Sequence, residues 1–417
     1  MTTTTKMNNR IWMLLPPSML FLLSMFYRYS SAVIASELMH DLSLTAANLG
    51  LLSSVFFYAF ALIQIPMGAA MDLFGPRRLI LFLSSMGIMG AMIFALADSF
   101  AVAVIGRILL GFGMASALMG TYKLIAIWFP PYAFATLSGI VGSVGAMGSV
   151  GATAPLALAV EWMGWRKAFM TIALIHLIIT AWIYFVVRDR PEEEEKIDTV
   201  SSIQKNYLNE ALKGTRQVIQ LPAFWLIAIA AFVRSGIFHS VSGLWAGPYL
   251  EYVYHISLVD RGKMLMAFPI GYIVGGPFLG FLSDRILKNR KWVVFMALSF
   301  YAFFIFPLAG SLPHFYFILI VVIFFGIGFF SSCMPVIYAN IKELLPSSLS
   351  GTALTAVNFF TMSGAAFFQH IMGAMIDSLS PLQGQMSTEA FSFAFGFCFV
   401  AAAIGAVVYV FVKEKRH

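Results

Sequence analysis

The stretch GAAMDLFGPRR, residues 68 to 78, has a weaker copy, GFLSDRILKNRK, at residues 280 to 291. Five positions in and after the first stretch recur in the same order 212 residues later. They are Gly68, Asp72, Arg78, Ser138 and Gly139, which recur as Gly280, Asp284, Arg290, Ser350 and Gly351. A single offset shared by five positions predicts that the chain consists of two related halves.

The chain is strongly apolar over its whole length. Hydrophobic residues make up 60% of the 417 residues and charged residues 11%, and the mean hydropathy is +0.86, which is outside the range of soluble globular proteins. A bilayer core of about 30 Å requires roughly 20 apolar residues per crossing helix. Twelve runs of this kind are bounded by charges, Gly/Pro or polar turns. The runs are residues 11–34, 48–71, 79–97, 101–127, 135–160, 168–187, 223–248, 264–282, 292–309, 315–339, 352–376 and 391–412.

The longest polar interval lies between the sixth and seventh runs. We therefore predict an all-α membrane protein with twelve transmembrane helices in two pseudo-symmetric six-helix bundles, over residues 1–187 and 222–417. Residues 188–221 form a predicted cytoplasmic linker, in which Ile203, Tyr207 and Ala211 recur at helical spacing. This spacing favours a helix on the membrane surface. A partly ordered, solvated linker is the alternative.

The positive charges predict the topology. Most lysines and arginines outside the runs fall in the two terminal tails and in the loops after even-numbered runs. The loops after odd-numbered runs hold only Arg166, Lys167, Arg261 and Lys263. The positive-inside rule therefore places both termini in the cytoplasm, in a bacterial inner membrane. The net charge of +7 is then a topology signal, and no nucleic-acid partner is expected.

Motifs for metal, nucleotide or redox chemistry are missing from the sequence. Cys333 and Cys398, both in apolar runs, are the only cysteines, and there is no C-x-x-C, H-E-x-x-H or phosphate-binding loop. We therefore expect no cofactor, no bound metal and no enzymatic activity.

Several motifs resemble those of the major facilitator superfamily. GAAMDLFGPRR is similar to that family's signature between helices 2 and 3, and GFLSDRILKNRK to its copy between helices 8 and 9. GRILLGFG, with Arg107, Gly111 and Gly113, resembles the helix 4 motif, and GWRKAF the start of helix 6. The resemblance implies that the loop residues latch neighbouring helices, with glycines allowing close approach and charged groups forming strong hydrogen bonds. The latch residues are Gly68, Asp72, Gly75, Arg77, Arg78, Asp284 and Arg290.

The charges inside the runs point to an anion. The runs contain four cations, Arg28, Arg107, Lys123 and Arg234, and no Asp or Glu. A charge in the hydrocarbon region is costly, so it persists where it faces a wet cavity, a partner or a ligand. Because no carboxylate within the runs pairs with these cations, an anionic ligand is the natural counter-ion.

The segment MFYRYSSAVIASEL, which contains Arg28, resembles helix 1 of the family's organic anion and organophosphate branches. The resemblance implies that Arg28 binds a carboxylate or phosphate, for which a planar guanidinium is well suited. The predicted substrate-binding residues are Arg28, Arg234, Tyr27, His239 and Asn358. The alternative for each arginine is snorkelling to the membrane surface, and for Arg107 a role in helix packing or gating.

The coupling residues differ from those of the organic anion branch. That branch often has an acid beside the helix 1 arginine and another in helix 4, where this chain has Tyr27 and Met114. Protons, if they are the coupling ion, would then be carried by Glu37, Asp41 or His239. Exchange and uniport are the alternatives to proton symport.

We expect a monomeric secondary transporter, embedded in the lipid bilayer, that takes up a small anionic or carboxylate-bearing solute by alternating access. Family exporters often have a Gly-Pro pair in helix 5, and the sequence ATAPLAL found here favours import. An amino-acid or peptide importer is the alternative, since a zwitterion also has a carboxylate. Multidrug efflux is disfavoured because cationic drugs call for a buried acid. A transporter-like sensor is a further alternative.

Overall fold

The computed structural model describes residues 3–130, 133–189, 217–310, 317–344, 349–380 and 386–412. Every regular element in these ranges is helical. The helix predicted in the linker around Tyr207 lies outside the described residues.

The helices agree with the predicted membrane protein. Ten of them are long and apolar enough to cross a membrane, and a bent pair at the start of the chain makes an eleventh candidate. A shorter apolar helix, Thr136–Gly151, lies where the fifth crossing was predicted. Each predicted run thus falls on a helix, which confirms the all-α membrane fold.

We number the crossings in chain order. The first six are formed by Thr3–Tyr29 with Ser31–Leu42, Ala46–Phe74, Pro76–Ala95, Phe100–Met114 with Ser116–Trp128, Phe134–Gly151 with residues 154–163, and residues 165–186. The last six are formed by Pro222–Ser240 continuing through Val241–Trp245 to Ala246–Tyr254, Leu258–Leu265 with Ala267–Phe281 and Leu282–Ile286, Arg290–Ala309, Phe317–Ser331 with Met334–Leu344, Ser350–Ser378, and Thr388–Val410.

The helices of crossings 1 and 7 extend beyond their predicted ends. The runs stopped at residues 34 and 248, but helix continues to Leu42 in crossing 1 and to Tyr254 in crossing 7. Hydropathy missed these final turns because they carry the charged residues Glu37 and Glu251. Crossings 1 and 7 therefore do contain carboxylates, in their final turns.

Crossings 1 and 7 both depart from a regular α-helix near their middle. Crossing 1 bends by 52° after Tyr29, where the Ser30 hydroxyl donates to the Tyr27 carbonyl oxygen at 3.2 Å. A serine bonded back to its own helix is a common cause of bending. Crossing 7 contains a π-helical turn over Val241–Trp245, and its Ser242 follows Ser30 by the same 212 positions that separate the loop motifs.

The membrane ends of the crossings are distinguished by two sets of contacts. The loop-motif end carries the 2–3 loop, where Arg77 donates to the carbonyl oxygen of Tyr184, at the end of crossing 6, at 2.6 Å. The opposite end carries Asp41, which accepts hydrogen bonds from Trp165 and Arg166 of the 5–6 connection. We call this second end the Arg261 end, after the residue that joins the two halves there.

The first six and last six crossings meet closely at the Arg261 end. A Cβ on Gly247 of crossing 7 would lie 1.7 Å from the Ala32 carbonyl oxygen of crossing 1, and one on Gly262 of crossing 8 would lie 3.0 Å from the Cα of Ala154. The first distance is too short for any Cβ, and the second would require the neighbouring helix to shift. Backbone therefore packs on backbone across the two halves, which is the role of small residues in membrane helix contacts.

The glycines of crossing 5 predict a stability difference. A Cβ on Gly148 would lie 1.9 Å from the Leu22 carbonyl oxygen of crossing 1, whereas one on Gly142 of the same helix would have no neighbour within 4 Å. Gly148→Ala should therefore destabilise the protein by about 1 to 3 kcal/mol, through forced separation of crossings 1 and 5. The measurement is the thermal unfolding midpoint in detergent.

Gly142→Ala is the matched control. It makes the same substitution in the same helix and should leave the midpoint unchanged or raise it, since Ala favours helix over Gly by about 1 kcal/mol. Equal midpoints for the two variants would contradict the close packing of crossings 1 and 5.

Candidate functional site

Arg28 occupies the last turn of the helix before the break in crossing 1. Its side chain is buried, with 6% exposure, and its guanidinium carbon lies 4.4 Å from the centre of the Phe60 ring of crossing 2. Within the described residues the guanidinium has no hydrogen-bond or ion-pair partner, and its Nε is fully buried. A cation–π contact alone leaves the directional donors of the group unused.

Arg234 of crossing 7 is buried as deeply but is better satisfied. Its guanidinium donates to the Ser331 carbonyl oxygen and to the Ser235 hydroxyl, while its Nε has no partner among the described residues. Both arginines lie near the same two tyrosines, Tyr272 and Tyr338. The structure thus places Arg28 and Arg234 in one polar region, with Arg28 the less satisfied of the two.

His239 connects crossing 7 to crossing 1 beside Arg28 and Arg234. The Tyr29 hydroxyl lies 3.4 Å from its Nε2, and the two rings stack with their centres 5.6 Å apart. His239 Nδ1 lies 2.9 Å from the Ser235 carbonyl oxygen, so Nδ1 is the donor and Nε2 accepts from Tyr29. His239 also interacts electrostatically with both Arg28 and Arg234, so it belongs to the same site.

Polar uncharged groups complete this region. The Tyr338 hydroxyl donates to the Asn358 side-chain oxygen at 3.4 Å, and the Asn358 nitrogen donates to the Gln64 oxygen at 3.4 Å. Gln64 lies in crossing 2 and Asn358 in crossing 11, so this chain of hydrogen bonds connects the two halves. Amides and phenols of this kind are suited to hydroxyl groups on a ligand.

The structure separates Tyr27 from the other predicted site residues. Its ring is fully buried and packs against Phe169 and His176 of crossing 6, inside the first six crossings. Tyr29, two residues later, contacts His239 instead. A helix turns by about 100° per residue, so adjacent side chains face different neighbours, and the sequence alone did not show which tyrosine shares the face of the site.

Arg107 acts as a structural link in this conformation. Its guanidinium donates to the Tyr27 carbonyl oxygen at 3.2 Å and to the Ser53 carbonyl oxygen at 3.5 Å, and it lies over the Phe56 ring. These contacts connect crossing 4 to crossings 1 and 2, which agrees with the packing role considered from the sequence.

The motif glycines divide into packed and open positions. A Cβ on Gly111 would lie 2.3 Å from the Phe56 carbonyl oxygen, and one on Gly113 would lie 2.3 Å from the Gly87 Cα, so crossing 4 packs tightly on crossings 2 and 3. Gly75 has a φ of 82° and caps crossing 2, a conformation that favours glycine. Gly68, by contrast, has no atom of the described residues near its Cβ position, so the close approach expected there is not seen.

The charged residues of the loop motifs contact nearby helix ends. The Arg77 backbone N–H donates to the Asp189 carboxylate at 2.7 Å, and Arg78 is exposed. In the second copy Arg290 donates to Asp284 at 3.0 Å and to Glu343, at the end of crossing 10, at 2.7 Å. The Asp72 side chain lies outside the described residues. The second copy thus shows the charge-assisted bonds that the motif predicted.

Glu37 lies away from Arg28, at the Arg261 end. One of its oxygens is 3.9 Å from the Arg261 guanidinium. Arg261 and Glu251 were not among the predicted functional residues. Their only signal in the sequence was the pair of charges flanking the loop between crossings 7 and 8.

Known proteins resemble this chain in sequence and in fold. The probable L-galactonate transporter of Escherichia coli (strain K12) is 24% identical, over 93% of this chain and 86% of that protein. The probable sulfoacetate transporter SauU of Cupriavidus necator is 25% identical over 70% of each protein. A bacterial homologue of the human lysosomal transporter Spinster, solved in an inward-facing, unoccupied conformation, shares the fold with a TM-score of 0.75, at 16% identity over 97% of each chain.

The family match extends over both halves of the chain. The Major Facilitator Superfamily matches residues 18–369 and residues 247–417. Together these ranges include both loop motifs, the irregular turns of crossings 1 and 7, and all of the predicted site residues. The relatives named above are transporters, and the chain shows the helical membrane fold that the sequence predicted. The chain therefore belongs to the Major Facilitator Superfamily of membrane transporters.

Proposed function

We propose that this transporter carries a small organic anion, which binds to Arg28. The observation that carries the proposal is a buried guanidinium that has no hydrogen-bond or ion-pair partner in the described residues. A charge left unpaired in a membrane protein is costly, and a carboxylate, sulfonate or phosphate on the substrate would offset that cost with charge-assisted hydrogen bonds.

The relatives support an anion independently. L-galactonate and sulfoacetate, the solutes in the names of two relatives, both carry an acidic group that is ionised at neutral pH. The amides of Gln64 and Asn358 and the Tyr338 hydroxyl could bind hydroxyl groups on such a solute. A sugar acid or a similar small hydroxylated anion fits this combination of groups.

Import of an amino acid is the second candidate. The carboxylate of a zwitterion would also bind Arg28, but its ammonium group needs an acceptor or a negative charge. The charged groups that interact with His239 are the cations Arg28 and Arg234. A net positive field favours an anion over a zwitterion.

The proposed direction is uptake. The contacts between the halves at the Arg261 end close the route from that end, and the positive-inside prediction assigns the loop-motif end to the cytoplasm. In this assignment the structure is closed on the outer side of the membrane, the form from which an importer would release substrate into the cell. The contacts of Arg77 and Arg290 would then help to stabilise one state of the cycle, which is the proposed role of the loop motifs.

The first prediction concerns Arg28. Arg28→Gln should weaken substrate binding by about ten-fold or more, because a hydrogen bond to a charged group contributes roughly 1.5 to 3 kcal/mol. Arg28→Lys keeps the charge but loses the planar pair of donors, so we expect an intermediate affinity. The measurement is the affinity of the purified variants for L-galactonate or another bound anion.

Lys167→Gln serves as the control for Arg28. It removes a cation that is exposed at the Arg261 end and should leave the affinity unchanged. Wild-type affinity in Arg28→Gln would show that this arginine does not bind the substrate.

The second prediction concerns proton coupling through His239. If its Nε2 carries the coupled proton, His239→Gln should reduce uptake driven by a proton gradient by about ten-fold or more, while exchange of internal for external substrate continues. Both rates are measured in liposomes with radiolabelled substrate.

His40→Gln is the matched histidine control, because His40 is exposed at the Arg261 end. It should retain both uptake and exchange. Proton-driven accumulation at the wild-type level in His239→Gln would rule out this histidine as the carrier and leave exchange or uniport.

A further inference from the structure

A group of four polar residues at the Arg261 end connects the first six crossings to the last six. The buried Arg261 guanidinium donates to a carboxylate oxygen of Glu251 and, at 3.2 Å, to the Ser36 hydroxyl. It also lies 3.9 Å from a carboxylate oxygen of Glu37. Ser36 in turn donates to Glu251. One guanidinium of crossing 8 thus contacts groups from crossings 1 and 7.

Two of the four residues belong to each half. Glu251 and Arg261 both belong to the last six crossings, on either side of a short loop. Their ion pair is therefore compatible with separation of the halves. Ser36 and Glu37 belong to crossing 1, so their contacts with Arg261 and Glu251 exist only while this end is closed.

This division makes the closed contact reversible. Breaking a buried ion pair is strongly unfavourable when it leaves one charge without a partner. Arg261 avoids that outcome, because Glu251 stays beside it when Glu37 moves away. Opening then costs only the contacts that cross between the halves.

In the closed form two negatively charged residues also repel each other. Two carboxylates, Glu37 and Glu251, approach a single guanidinium, and like charges at short range repel. The second oxygen of Glu37 is buried and has no hydrogen-bond partner among the described residues. The attraction of Arg261 for Glu37 is therefore partly offset by Glu251.

We propose that Ser36, Glu37, Glu251 and Arg261 form a gate that sets the balance between the closed and open forms of this end. In this gate Glu37 and the contacts of Ser36 favour the closed form, whereas the negative charge of Glu251 favours the open form. The proposal requires alternating access but not an anionic substrate, so it can fail or succeed independently of the function proposed for Arg28.

The two glutamates therefore predict opposite effects for the same substitution. Glu37→Gln removes the carboxylate that Arg261 contacts only in the closed form, so the population of the open form should rise. Glu251→Gln keeps a side-chain oxygen that can accept from Ser36, but it removes the negative charge that accompanies Arg261 in the open form and repels Glu37 in the closed form. The population of the closed form should therefore rise. Arg261→Gln leaves the two carboxylates facing each other without a cation, so the population of the open form should rise.

The distance across this end reports the balance directly. Spin labels at His40→Cys and Lys263→Cys would lie on the two halves, at side chains that are 90% and 58% exposed. Both native cysteines, Cys333 and Cys398, are buried and should not react with the label. Pulsed electron–electron double resonance on the full chain in lipid nanodiscs, without substrate, then gives the populations of short and long distances between the labels.

In this measurement the long-to-short ratio should rise about three- to ten-fold in Glu37→Gln and in Arg261→Gln, and should fall by a similar factor in Glu251→Gln. Ser36→Ala provides a second, milder change in the same direction as Glu37→Gln. Arg166→Gln is the control, because its ion pair with Asp41 lies at the same end but within the first six crossings. Its ratio should match that of the wild type.

Shifts of the same sign in Glu37→Gln and Glu251→Gln would overturn the proposed division of roles. Unchanged ratios in both variants would show that the four residues do not set the balance at all. An equal shift in Arg166→Gln would show that any loss of charge at this end changes the distances, which would also overturn the proposal.

Discussion

The guanidinium of Arg28, which has no hydrogen-bond or ion-pair partner among the described residues, is the feature on which the proposed function depends. Arg28 is buried beside the bend of crossing 1, and the neighbouring Arg234 adds a second positive charge. Neither forms an ion pair with a carboxylate in the described residues. Because charge is costly in a medium of low dielectric constant, the site has lower energy when an anion occupies it. In the proposed function, binding of the substrate would offset this charge.

The fold allows this arrangement because crossings 1 and 7 are both irregular where they meet. The bend after Tyr29 and the π-helical turn over Val241–Trp245 place backbone against backbone, and a Cβ on Gly243 would lie 3.2 Å from the Arg28 carbonyl oxygen. Irregular turns within membrane helices are frequent at functional sites. Tyr29 and His239 stack across this junction, so a movement of one half relative to the other changes the surroundings of Arg28 directly.

The sequence predicted the crossings, the repeat and the unbalanced cations, because hydropathy, a constant offset and charge count are local properties. It did not predict which of Tyr27 and Tyr29 faces the site, since that depends on the neighbours of each helix face. It also placed the ends of crossings 1 and 7 too early, because Glu37 and Glu251 lower the hydropathy of the final turns. Their common contact with Arg261 depends on how helices of the two halves pack together. Local sequence patterns do not predict this packing.

The requirement for a negative charge can be tested without any substitution. Isothermal titration of the wild-type protein would compare L-galactonate with galactitol, which has the same six-carbon chain and a hydroxymethyl group in place of the carboxylate, and would include sulfoacetate as a second anion. We expect at least one anion to bind and galactitol not to bind, because only the anions can form charge-assisted hydrogen bonds with Arg28. Binding of galactitol as tight as that of L-galactonate would contradict the account.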